Sequence, residues 1–122
     1  MRLQESGEMY LETIYILSKS RSAVRAIDVG DYMGFSKPSV SRALGILKNG
    51  GYVVADENGF LSLTELGRDT AEKVYERHEI LSRALMEMGV DEKTAIEDAC
   101  RMEHVISDKT FDAIKEHLQK ND

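Results

Sequence analysis

Cys100, Glu103 and His104 stand at i, i+3 and i+4 in the stretch Asp98-Ala99-Cys100-Arg101-Met102-Glu103-His104. On an α-helix, at about 100° per residue, the three share an arc of about 100°. A thiol, a carboxylate and an imidazole turned the same way form half of a metal site. A structural reading competes: a small buried cysteine, with Glu103 at the edge of the core in an ion pair. An ionised carboxylate among apolar side chains is costly unless it is paired or metal-bound. His104 on the same arc, and His78 on the preceding helix, favour the metal.

The elements that must hold these groups can be read from caps and periodicity. Asp91 is an N-cap for a helix over 92–106, with Ile96, Ala99, Cys100, Glu103 and Ile106 along one side. Before it, Thr64 caps a long helix over 65–88, which Gly89-Val90 ends. Val74, His78, Leu81, Leu85 and Met88 recur there at helical spacing, so His78 faces the same way as the apolar groups. It is either a satisfied core histidine or a further ligand. Ser107 caps a last helix over 108–119, with Phe111, Ile114 and Leu118 inward and His117 beside them as a surface residue.

The first half has a different order. Residues 5–19 predict a largely buried helix, with Leu3, Met9, Leu11, Ile14, Ile16 and Leu17 apolar and Met9 and Glu12 one turn apart. A short helix over 26–33 carries Ile27, Val29 and Met33, and Gly34-Phe35 breaks it. Ser36 caps a third helix with Pro38 in its first turn, and Asn49-Gly50-Gly51 stops it. Val40, Leu44 and Leu47 are its apolar stripe. Tyr52-Val53-Val54-Ala55 and Phe60-Leu61-Ser62-Leu63 flank an Asn-Gly turn and predict a hairpin. Helix, short helix, tight turn, helix and hairpin is the order of a winged helix-turn-helix. Its third helix would enter the major groove, and the hairpin would be the wing.

Charge agrees with that division. The chain has 122 residues and a net charge of −6. Residues 1–64 hold 7 Lys/Arg and 7 Asp/Glu, whereas residues 65–122 hold 9 and 15. Residues 36–50 contain Lys37, Arg42 and Lys48 and no acid, so a local basic face can meet phosphates although the whole chain is acidic. No apolar run approaches the roughly 18 residues of a membrane span, and the N-terminus has no apolar signal region. A single cysteine forms no internal disulfide, which fits a reducing cytoplasm.

Four segments resemble the family of metal-dependent repressors that includes the diphtheria toxin repressor and the manganese transport regulators. They are Glu8-Met9-Tyr10-Leu11-Glu12-Thr13-Ile14-Tyr15, Ser36-Lys37-Pro38-Ser39-Val40-Ser41, Leu63-Thr64-Glu65-Leu66-Gly67, and Asp98 through Asp108. The resemblance implies a mainly α protein: a winged helix-turn-helix over 1–64 and an all-helical metal-binding and dimerisation domain over 65–122. With the chain ending after the sixth helix, the family's optional SH3-like domain is not expected. By resemblance, Met9, Cys100, Glu103 and His104 take the primary-site positions of the iron-sensing branch. Glu12 and His78 take positions used by the manganese-sensing branch. Two ancillary positions of the iron branch hold Ser82 and Ile96, which are not plausible side-chain ligands. Ser36, Lys37, Pro38, Ser39, Ser41 and Arg42 form the DNA-reading face.

The expected activity is transcriptional regulation. A homodimer loaded with a divalent transition metal would bind double-stranded operator DNA and control metal homeostasis. Thiolate and thioether donors favour Fe(II), with Mn(II) next because Glu12 adds a hard ligand. Two other readings are a metal-independent winged-helix regulator with Cys100 as a redox sensor, and a small metal-dependent hydrolase. The hydrolase lacks a second histidine four residues after His78.

Overall fold

The computed structural model describes residues 5–120, so Leu3 lies outside the described residues. Six helices and one hairpin follow in the order α1 (Glu5–Ser20), α2 (Ala26–Met33), α3 (Lys37–Asn49), β1 (Val53–Ala55), β2 (Leu61–Leu63), α4 (Glu65–Glu87), α5 (Glu92–Met102) and α6 (Asp108–Lys120). The chain divides into two compact units after Glu72, inside α4.

In the first unit, Leu11, Ile14 and Leu17 of α1, Val29 of α2, Val40, Leu44 and Leu47 of α3, and Val53 and Leu61 of the hairpin make one buried cluster. Ala71, on the first turns of α4, closes it. The helices meet the expectations except at Met9 of α1, which is exposed, and in α2. Ile27 points outward, and α2 meets the core with Val29, fully buried, and Met33, partly buried one turn later. Gly34 sets the turn of the helix-turn-helix. Its backbone is left-handed at φ 73°, and its N–H donates to the Gly30 carbonyl. Ser36 then caps α3, its hydroxyl accepting from the Ser39 N–H at 3.4 Å.

Strands β1 and β2 are antiparallel, with Val53 opposite Leu63 and Ala55 opposite Leu61. Asp56 closes the wing tip. One of its carboxylate oxygens accepts from the N–H groups of Asn58 and Phe60, both at 2.9 Å. The Arg25 guanidinium lies 4.5 Å from the Phe60 ring centre and ties the start of α2 to the wing.

The wing is fastened to α4 at Thr64. Its hydroxyl accepts from the Gly67 N–H at 3.1 Å, and its own N–H donates to the Tyr52 carbonyl at 3.0 Å. The helix starts so close to that carbonyl that a Cβ on Gly67 would sit 2.0 Å from the Tyr52 oxygen. Only glycine fits there.

In the second unit Val74, Leu81, Ala95, Ala99, Phe111 and Leu118 are buried. Asp91 caps α5 as expected, accepting from the Thr94 N–H at 3.0 Å. Three expectations are corrected. Helix α5 stops at Met102, not at 106, and Glu103 is its C-cap. Its inward side is Ala95 and Ala99, leaving Ile96 and Cys100 exposed. Met88 is also exposed, beyond the end of α4.

Candidate functional site

Helices α4 and α5 and the turn after α5 bring four of the predicted metal-binding side chains together. Glu103 carries the one buried carboxylate among the described residues, with a side chain 1% exposed. Its Oε2 lies 2.9 Å from His78 Nδ1, and its Oε1 lies 3.2 Å from His104 Nε2. Cys100 Sγ is 3.7 Å from the same His78 Nδ1. Glu103 Oε2 and Cys100 Sγ thus both lie beside the same ring nitrogen of α4. The His104 ring is 2% exposed and the His78 ring 23%.

The apolar stripe predicts Cys100 and Glu103 on one buried side. The structure separates them: Cys100 is at the surface and Glu103 is buried, and His78 reaches both. The geometry arises because Glu103 keeps a helical φ of −60° and an N–H bond to the Ala99 carbonyl although it ends the helix. His104 follows in the turn and meets the other oxygen of Glu103.

The donor set fits a divalent transition ion. A buried carboxylate needs a positive partner, and thiol, imidazole and carboxylate are together the donors such ions take. Ser82, at a position where the resemblance would call for a ligand, is a structural residue here. Its hydroxyl donates to the His78 carbonyl at 2.8 Å. Ile96, the other such position, is exposed on α5.

Met9 and Glu12 belong to α1 in the first unit. Met9 is 36% exposed and Glu12 is half-buried, one turn apart as expected. Ser36, Lys37, Pro38, Ser39, Ser41 and Arg42 are all exposed on the first turns of α3, opposite its buried Val40, Leu44 and Leu47. The free face of α3 continues to Ile46, which is exposed one turn after Arg42 and which the basic-residue signal overlooked.

One residue beside this cluster carries no sequence signal. Arg77, next to His78 on α4, donates to the carbonyls of Glu103 and Ile106 and pairs with Asp108. No local signal marks it, because its partners lie more than twenty residues downstream.

A hairpin-bearing helix-turn-helix joined to a helical unit with a cluster of metal donors defines a class: metal-responsive DNA-binding regulators. The chain belongs to the iron-dependent repressor family. Residues 2–59 match the model of that family's N-terminal DNA-binding domain, and residues 64–122 match its metal-binding and dimerisation domain. The chain is 31% identical over 120 residues to an uncharacterised helix-turn-helix transcriptional regulator of Methanocaldococcus jannaschii, covering 97% of this chain and 96% of that one. It is 32% identical over 108 residues to the diphtheria toxin repressor of Corynebacterium diphtheriae, covering 88% of this chain and 48% of that protein. Among solved structures, the manganese regulator SloR superposes with a TM-score of 0.83 at 26% identity, over 98% of this chain and 55% of that one. The chain therefore spans about half the length of these last two. The resemblance read from the four segments names the same family. Its members are metal-dependent transcriptional regulators rather than enzymes, which removes the hydrolase reading. No described helix is long and apolar enough to cross a membrane.

Proposed function

We propose that this protein is a repressor that binds operator DNA as a homodimer when a divalent metal occupies the His78, Cys100, Glu103 and His104 cluster. The observation that carries the reading is Glu103: a buried carboxylate flanked by two imidazoles, with a thiol beside one of them. Met9 and Glu12 complete the ligand set from α1, by resemblance to the two branches of the family. Cys100 and Met9 are soft donors and favour Fe(II). Glu12 and a structural relative that is a manganese regulator keep Mn(II) next in line.

The DNA-reading face is Ser36, Lys37, Pro38, Ser39, Ser41 and Arg42 at the start of α3. Its lack of acids suits a phosphate backbone, and its small side chains allow close approach to base edges. Self-association is supported by the small core of the second unit and by the apolar Met86, Met88, Ile96 and Val105 at its surface. Metal acts by differential binding, favouring the arrangement whose two reading helices match major grooves about 34 Å apart. Moving the population from mostly inactive to mostly active takes a preference of about 5 kcal/mol.

The ligand assignment is tested by titrating the protein with Mn(II) and following free aquo-Mn(II) by electron paramagnetic resonance, with anaerobic Fe(II) as competitor. The reading expects saturable binding that Fe(II) displaces. Free Mn(II) rising in step with added metal, with no Fe(II) binding either, would refute it.

A further inference from the structure

Helix α5 ends without the glycine or proline that usually closes a helix. Its C-cap, Glu103, stays right-handed, so the carbonyls at and beyond the helix end need partners from elsewhere. Arg77 supplies them. Its Nη1 donates to the Ile106 carbonyl at 2.9 Å and the Glu103 carbonyl at 3.3 Å. Its Nη2 pairs with Asp108, and its guanidinium lies 5.5 Å from the Phe111 ring centre. The Arg77 side chain is 17% exposed, so these bonds form largely out of water. A cation at the negative end of a helix also compensates the helix dipole.

We propose that Arg77 is a positioning residue for the metal centre. It pins the backbone of residues 103–106, so that the Glu103 carboxylate and the His104 ring hold their places beside His78. The proposal rests on reading Glu103 and His104 as ligands. Asp108 is not the working partner. Its side chain is 90% exposed, and an ion pair held that far in solvent contributes little. What matters is Nη1 serving two carbonyls at once, held there by a planar group beside the Phe111 ring, a placement lysine reproduces only in part.

The test is an anaerobic Co(II) titration of the full chain, read by the visible absorption bands of the bound ion. Thermal unfolding in chelator runs beside it. Arg77→Gln is expected to weaken Co(II) binding by about 10–100-fold and to shift the bands, as loss of an outer support does at other metal sites. Arg77→Lys should fall between it and the wild type, and Asp108→Asn should stay within about twofold of the wild type. If Arg77 served the fold alone, Arg77→Gln would melt earlier in chelator yet bind Co(II) with wild-type affinity and spectrum. That result overturns the proposal. Should Arg77→Gln fail to fold, Arg77→Lys decides by the same comparison. If the wild-type protein itself gives no bound-Co(II) spectrum, the ligand assignment and this proposal fall together.

Discussion

Glu103 concentrates the chemistry of this chain. A glutamate with 1% of its side chain exposed is costly unless it is partnered, and an imidazole lies beside each of its oxygens. Glu103→Gln keeps the shape and removes the charge, so circular dichroism and thermal unfolding of the metal-free protein should stay close to wild type. Metal affinity should drop by more than the roughly 10–100-fold that losing an outer partner costs. Wild-type affinity in that variant would take Glu103 out of the ligand set. Cys100 is expected to set preference more than strength. Cys100→Asp exchanges a soft donor for a hard one, so the ratio of Fe(II) to Mn(II) affinity should fall, measured by competition between the two ions. An unchanged ratio would mean that Cys100 is not a ligand. At this scale the sequence was legible where residue type and spacing suffice: Cys100, Glu103 and His104 were visible as a group. Arg77 was not. It looks like any cation on a long helix, and its partners are carbonyls, which carry no residue signature.

The elements were legible wherever a cap or a breaker marks them. Ser36, Thr64 and Asp91 all bond as N-caps, and Gly34 makes the expected turn. The end of α5 lies four residues before the expected one for the complementary reason: no local residue announces the stop, and the carbonyls of Glu103 and Ile106 are met by Arg77 from another helix. Two predictions belong here. Gly67→Ala places a Cβ 2.0 Å from the Tyr52 carbonyl, which is backbone and cannot step aside. The loss should reach or pass the upper end of the about 1–3 kcal/mol typical of overpacking, read from the urea midpoint; a midpoint within error of wild type would contradict the packing described. Asp91 is held below the ordinary aspartate range by the N–H and hydroxyl of Thr94. A lowered folded-state value means that the cap's contribution is complete above the unfolded aspartate range and is lost as pH falls through the folded one. Asp91→Asn should therefore flatten the pH dependence of unfolding in acid relative to wild type, and an identical acid profile would show that the cap is not coupled to folding.

For the molecule as a whole, charge and chemistry are segregated along the chain. The first 64 residues are neutral with a local basic face, and the remaining 58 carry the entire acidic excess together with Cys100 and all three histidines. A net charge of −6 averages over the basic face of residues 36–50, which only the residue-by-residue distribution shows. The dimer was legible only as a shortage of core in the second half, because the surface that pairs is completed by another copy. Arg42→Ala should weaken DNA binding in the metal-loaded state and reduce the slope of log affinity against log salt by about one if Arg42 meets a phosphate. An unchanged affinity and slope would remove Arg42 from the reading face. The central claim is that metal binding and DNA binding are coupled. It is tested most directly by fluorescence anisotropy on DNA from the protein's own promoter at fixed salt, first in chelator, then with anaerobic Fe(II), then with Mn(II). Tight binding with at least one of the two metals and weak binding in chelator is the predicted result. Equal affinity in all three, with loss on oxidation of Cys100, would contradict the account and leave a metal-independent redox regulator in its place.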